Sequence, residues 1–273
     1  MWRRMWRSAD VALAAHGNGW LRGGGAPPEL VPGHSVFSSV RRVTFTRSWF
    51  PRRWRLRPER PGTAAWYADL GDRGLDALRI AFWHPAATKP PCPRADDDGR
   101  LSTWALAALF DDACELWLPW KWVRDEDHLV YRGYPLASPP PLPDFEEADA
   151  DLRTALLAGL ELTRRTGNEF HAEQLQKALG ARQTPDPTAA QLANLLPDAV
   201  YPLEARQLLA CALRVESVID GKSGDLGYNA LPGGPHSLAY DRLLWWLADA
   251  AWEAVAAATN SVGPTAMRRG RGS

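Results

Sequence analysis

The strongest constraint on this chain is a change of hydrophobic period across a run of prolines. Before residue 137, apolar side chains recur mainly at every second position, and beyond 147 they recur at every third and fourth. A period of two belongs to a half-buried strand and a period near 3.6 to an amphipathic helix. Between the two patterns, ASPPPLPDFEE holds four prolines at 139, 140, 141 and 143. Such a stretch is stiff and extended in polyproline II form, so it reads as a spacer. The expected fold is therefore α+β. A β-rich domain over 36–136, mainly antiparallel with one helix, leads through a linker at 137–147 into an all-α bundle of about five helices over 148–260. Residues 1–35 are expected to be poorly ordered, because GNGW, RGGGAPP and VPGH place glycine or proline every few positions. The tail 261–273 is expected to be disordered.

Within the first half, VTFTRSWF puts Val43, Phe45 and Trp49 on one face and Thr44, Thr46 and Ser48 on the other. TAAWYADL (63–70) and ALRIAFW (77–83) read as two further strands, with Leu78, Ile80 and Phe82 toward the core. LSTWALAALFDDA reads as the one helix, with Leu101, Trp104, Ala105, Ala108 and Leu109 at spacings of three and four. ELWLPWKWV (115–123) and HLVYRGY (128–134) flank RDED as a hairpin. Pro119 lacks an N–H for the ladder, so its strand must lie at an edge or carry a bulge.

The helical half opens with Leu152, Leu156, Leu157 and Leu160 on one face. A second helix from about Asn168 is expected to bury Phe170, Leu175, Ala178 and Leu179. The third begins at Asp186-Pro187, a pair suited to N-cap and N1. The fourth follows Tyr201-Pro202 with Leu208, Leu209, Ala212 and Leu213, and the longest runs from Ser237 to Thr259.

The 32 basic and 32 acidic residues cancel, so no global field argues for nucleic acid or membrane. They are not evenly spread: residues 1–60 carry a net +9, residues 61–150 a net −8 and residues 151–273 a net −1. Opposed neighbouring blocks most simply attract one another. The apolar run Val11–Ala15 is five residues long, short of the roughly 7–15 of a secretory core. Leu243–Ala258 is broken by Asp249 and Glu253, whereas a membrane span needs about 20 apolar residues. A cytoplasmic protein with no membrane contact is expected. The three cysteines, Cys92, Cys114 and Cys211, lie far apart and form neither a disulfide framework nor a metal knuckle.

Motifs for turnover fail one by one. GKS at 221–223 lacks the earlier Walker glycine, since Glu216 stands there, and no GxGxxG follows a strand. Asp96, Asp97, Asp98 and Gly99 resemble a calcium loop, but Arg94 occupies the first ligand position and no closing glutamate follows. No metal and no cofactor is expected. Arg165 and His171, with five residues between them, match the spacing used by HEPN-like ribonucleases, in which histidine serves as acid or base. Arg–His pairs of this kind arise by chance among 28 arginines, and Thr166 departs from the polar residue usual in that motif.

Two segments are candidates for binding. Residues 41–60 hold eight arginines interleaved with aromatic rings, among them Arg41, Arg42, Trp49, Arg52, Arg53 and Trp54. Guanidinium for phosphate and rings for bases is a combination that binds single-stranded nucleic acid. The second is the connection 220–236, which has five glycines and seventeen residues, where helix–helix connections usually take about 2–8. It offers Lys222, Asp225, Tyr228, Asn229 and His236, with Trp245, Asp249 and Trp252 on one face of the next helix as a wall. Tryptophan and arginine are enriched at interface hot spots. Together these features favour a non-catalytic interaction protein, a subunit of a larger assembly that binds another protein. The nuclease and nucleic-acid readings stand as alternatives.

Overall fold

A computed structural model describes residues 2–47, 60–83, 103–123, 127–136, 138–184, 195–197, 200–219, 226 and 236–262 of the 273. The chain is a mixed α+β protein. It divides into two compact units, one of residues 1–142 with 194–200 and 262–273, the other of residues 143–193 with 201–261.

Among its described residues the first unit has a six-stranded sheet, two α-helices and a short 3-10 helix at Ser35–Phe37. Its strands are β1 (Arg42–Arg47), β2 (Arg60–Pro61), β3 (Ala77–Trp83), β4 (Thr103–Leu109), β5 (Cys114–Val123) and β6 (His128–Leu136). Their order across the sheet is β2-β1-β6-β5-β4-β3. All neighbours are antiparallel except β1 and β6, which run parallel with Phe45 opposite Tyr131. Pro119 lies in the interior strand β5, beyond the residues 114–117 that pair with β4, and the register with β6 shifts between Pro119 and Lys121. The bulge accommodates the missing N–H in an interior strand.

Three expectations for this unit are corrected. Residues 1–35 are not without structure: α1 spans Trp2–Gly23 and buries Val11 to Ala15 almost completely. The GNG that suggests a chain break is instead a packing device. A Cβ at Gly17 would lie 2.5 Å from a methyl carbon of Leu78 and 2.7 Å from the Tyr67 ring, so only glycine lets the helix approach the sheet so closely. The Asn18 amide next to it donates to the Leu78 carbonyl at 2.9 Å and accepts from the Leu78 N–H at 2.8 Å. Residues 63–70 are not a strand but lie in α2 (Thr63–Asp72), whose buried Thr63, Trp66, Tyr67, Leu70 and Gly71 follow helical spacing. Residues 103–109 are not a helix but β4. Its Trp104, Leu106 and Ala108 face one side and Ala105 and Ala107 the other, all buried. Burial on both faces replaces alternation with a continuous apolar run, which by pattern alone reads as a helix. The unit thus has two helices packed on a sheet with one parallel pairing.

The main core lies between the sheet and these helices. Phe45 stacks on Trp66 at 4.2 Å and on Tyr131 at 5.1 Å, and Trp117 meets both Phe45 and Trp66 edge-on. Gly133 faces Trp117 across β5 and β6, where a Cβ would come within 2.8 Å of the indole. The opposite sheet face carries a second cluster of Ala81, Ala105, Ala107, Leu116, Leu118 and Tyr134.

The second unit contains α3 (Phe145–Arg165), α4 (Glu169–Ala181), α5 (Leu203–Ile219) and α6 (Ser237–Asn260). Asp144 caps α3 by accepting from Glu146 N and Glu147 N, and Asn168 caps α4. Ala155, Leu156, Leu175, Leu208, Leu209, Leu247 and Ala251 fill its core. Leu157 and Phe170, expected inside, are 51% and 52% exposed. The third helix expected from Asp186-Pro187, the acidic loop at 96–99 and the tail beyond 262 lie outside the described residues, and Val262 itself is buried.

Candidate functional site

Of the arginine-rich stretch, Arg41, Arg42 and Arg47 fall among the described residues, whereas Trp49, Arg52, Arg53 and Trp54 fall outside them. Arg41 is exposed and pairs with Asp127 at 3.3 Å. Arg42, the first residue of β1, is also exposed. Arg47 is turned into the protein. Its guanidinium reaches Asp69 of α2 at 3.0 Å and Glu115 of β5 at 3.0 Å. Arg73, at the end of α2, grips the same Glu115 with both terminal nitrogens, at 3.0 and 2.5 Å, and lies over the Phe110 ring. Two cations and two carboxylates therefore neutralise one another within the unit. Burial raises the Glu115 carboxyl above its ordinary value, and the neighbouring Arg47 offsets only part of this.

Several other polar groups of this unit are matched as well, although the buried indole N–H groups of Trp66 and Trp117 have no hydrogen-bond partner among the described residues. Tyr131 donates to Asp10 at 2.7 Å, and Tyr67 donates to the Leu13 carbonyl at 2.7 Å. Thr44 and His128 meet at 2.9 Å across β1 and β6. The helix α2 begins at Gly62, which has no side chain to cap it. Glu29 acts in its place from a distant loop, accepting from the backbone of Thr63 and Ala64, from the Thr63 hydroxyl and from Val31 N. Burial alone would raise the Glu29 carboxyl, but these donors bring it below its ordinary value.

In the helical unit, Arg165 is exposed at the end of α3, and His171, a buried residue, sits in the first turn of α4. Its Nδ1 lies 2.7 Å from Asn168 Oδ1, the same oxygen that caps the helix. Of the long connection, Lys222, Asp225, Tyr228 and Asn229 lie outside the described residues. Leu226 is fully buried and His236 is an exposed N-cap position of α6.

A cavity of about 340 Å³ opens between α3, α4 and α5, with Leu152, Leu156 and Leu179 as walls. Asp149 and Arg182 at its edge pair with each other, and Arg182 also donates to the Glu204 carbonyl at 3.1 Å. Cys211 contributes to its lining, and burial pushes that thiol up to about 12, so it is protonated at neutral pH.

The outward face of α6 is different. At 100° per residue, Leu238, Asp241, Arg242, Trp245, Trp246, Asp249 and Glu253 fall within one arc, and all seven are exposed. Leu238 is 67% exposed, Trp245 40% and Trp246 43%, and Trp252 on the same arc is half-buried. Across the seam, α3 adds the exposed carboxylates Glu147 and Asp151. Partial burial and then the charges of Asp151, Asp249 and Glu147 raise the Glu253 carboxyl above its ordinary value. The sequence pattern identifies Trp245, Asp249 and Trp252 as a shared face. It misses Leu238 and Trp246, and nothing local signals that α3 brings Glu147 and Asp151 alongside.

Comparison of the chain with protein-family models, curated proteins and solved structures returns no match in any of the three. Among the described residues no helix is long and apolar enough to cross a membrane, and no group of three or more histidine, cysteine or carboxylate side chains is placed to hold a metal ion.

Proposed function

We propose that this chain is an interaction protein without turnover of its own, a subunit that binds a protein partner through the outward face of α6. The reading is carried by one observation: Leu238, Trp245 and Trp246 are large apolar side chains exposed on a single face of one helix. Each side chain buried in a complex is worth on the order of 2 kcal/mol of transfer free energy. Tryptophan also loses little conformational freedom when it docks, which is why it anchors hot spots. The binding residues sit on a rigid element, since the inner face of the same helix buries Leu243, Leu247, Ala250, Ala251 and Ala254.

The test is affinity capture from the native host with the intact chain and with a Trp245→Ala/Trp246→Ala double variant. A partner that co-purifies with the first and is lost with the second, at unchanged helical circular dichroism, is the expected result. Capture indifferent to the double substitution overturns the reading. So does RNA cleavage by the pure protein that disappears in His171→Ala, because Arg165 and His171 would then form a nuclease site.

A further inference from the structure

We propose that the cavity between α3, α4 and α5 binds a small anionic amphiphile, a carboxylic acid whose hydrocarbon tail lies in the cavity and whose carboxylate meets Arg153. The site is independent of the interaction reading above, since none of the residues lining the cavity belongs to α6. Its depth is apolar. Leu152 and Leu156 of α3 and Cys211 of α5 are at most 1% exposed, and Leu179 of α4 is a further wall. Leu157 lines the same space, and it is the α3 leucine expected inside but found exposed. A hydrocarbon tail lying against it would withdraw that surface from water. The volume of about 340 Å³ is at the low end of the roughly 300–1,000 Å³ of small-molecule pockets. It suits a short chain or a single ring.

Gly180, in the last turn of α4, helps to keep the space open. Its backbone is not left-handed, and a Cβ built on it meets nothing within 4 Å, whereas side chains press on Gly17 and Gly159. Glycine is the poorest helix former after proline, so neither backbone nor close packing calls for it here. The head group is chosen by charge. The lining holds two guanidinium groups, Arg153 and Arg182, and one carboxylate, Asp149. Asp149 and Arg182 pair with each other, which leaves Arg153 to engage a ligand. A guanidinium donates to both oxygens of a carboxylate, and the amides of Gln176 and Gln183 on the same wall are further donors. An ammonium head would face the like charge of Arg153, and a hydroxyl head would leave that charge without a counter-ion.

The experiment is titration calorimetry of the full-length protein with octanoate, octanol and octylammonium. Octanoate is expected to bind at a single saturable site, octanol about tenfold more weakly and octylammonium more weakly still. Gly180→Leu fills the space with a good helix former, so it should abolish octanoate binding without lowering the melting temperature. Arg153→Gln should weaken octanoate about tenfold and leave octanol unchanged. Because Arg153 is an exposed position, this variant keeps the test decisive even if Gly180→Leu fails to fold. No saturable octanoate binding at millimolar concentrations overturns the proposal. So does octanoate binding that survives in a folded Gly180→Leu, since the ligand then sits elsewhere. A preference for octanoate over octanol that Arg153→Gln leaves intact overturns it too, as does octylammonium binding as tight as that of octanoate. None of these results bears on capture of a partner through Trp245 and Trp246, so the two readings stand or fall separately.

Discussion

The two units of this chain differ in what they do with their largest rings, although Tyr201 and Tyr240 of the helical unit are buried too. In the sheet unit the large rings Phe45, Trp66, Tyr67, Trp117 and Tyr131 are at most 2% exposed, while in the helical unit Phe170, Trp245 and Trp246 are at least 40% exposed. Two charged places differ as well. Glu115 is held by Arg47 and Arg73, and Glu29 by the start of α2, whereas Asp151, Asp249 and Glu147 raise the Glu253 carboxyl of α6. A ring buried inside its own unit contributes stability, and an exposed one presents apolar surface at which a partner can dock. On the proposed reading, the sheet unit is the scaffold and the outer face of α6 is the working surface.

The sharpest way to break this contrast is to truncate one tryptophan in each unit. Trp66→Ala should destabilise by about 4 kcal/mol, because a fully buried ring leaves a cavity under Phe45. Trp246→Ala should change stability by about 0.5 kcal/mol or less, as expected of an exposed position. Urea unfolding followed by circular dichroism measures both. Equal losses would mean that the α6 tryptophans are structural, and the proposed binding face would fall with them.

Next in size is Asp10→Ala. It leaves the Tyr131 hydroxyl without its acceptor in a core where both residues are at most 1% exposed, at a cost of about 3 kcal/mol. Asp10→Asn keeps an oxygen acceptor and should lose less. If the two variants unfold at the same urea concentration, the hydrogen bond is not what holds α1 to β6.

Glu29→Ala should cost about 1 kcal/mol, the usual worth of a helix cap held to the low end by partial solvent exposure. Its pH dependence has a definite sign. The folded carboxyl titrates below its ordinary value of 4.5, so its contribution is complete above that pH. It is lost as the pH falls through the lower folded value. Melting temperatures of the parent and variant should converge in that acid window. A constant gap down to pH 2 would show that Glu29 acts through packing and not through its charge.

The two units also differ in how far their sequence could be read. In the helical unit each turn signal is local: Asn168 caps where it should, α5 follows Tyr201-Pro202 and α6 begins at Ser237 as expected. The unit boundary at residues 142–143 falls inside the proline run. In the sheet unit the decisive information is non-local. Glycine at 17 reads as a helix breaker until Leu78 and Tyr67 are known to press on it, and alanines 105, 107 and 108 favour a helix until both faces of β4 are covered. Tertiary context overrode local preference in both places. At the candidate site the periodicity of α6 alone groups Trp245, Asp249 and Trp252. Exposure is what separates a binding face from a core face, and it depends on which side α3 and α5 occupy. Leu157 and Phe170 illustrate the same limit, since apolar residues at helical spacing face solvent there.

The smallest effect is the most direct probe of the α6 surface. Glu253 is exposed, but its carboxyl titrates above the ordinary value of 4.5, first through partial burial and then through Asp151, Asp249 and Glu147. Between 4.5 and the raised value the folded protein holds a proton that the unfolded chain has released, so stability falls as the pH rises through this window. Above the window the penalty is constant. Glu253→Gln removes it, so the variant should melt slightly higher than the parent at pH 7 and together with it below pH 4.5, and added salt should shrink the difference. The sign matters more than the size. A variant that melts lower at pH 7 would mean that Glu253 already has a cationic neighbour in the free protein. Any partner docking on α6 would then have to displace that neighbour before reaching Glu253.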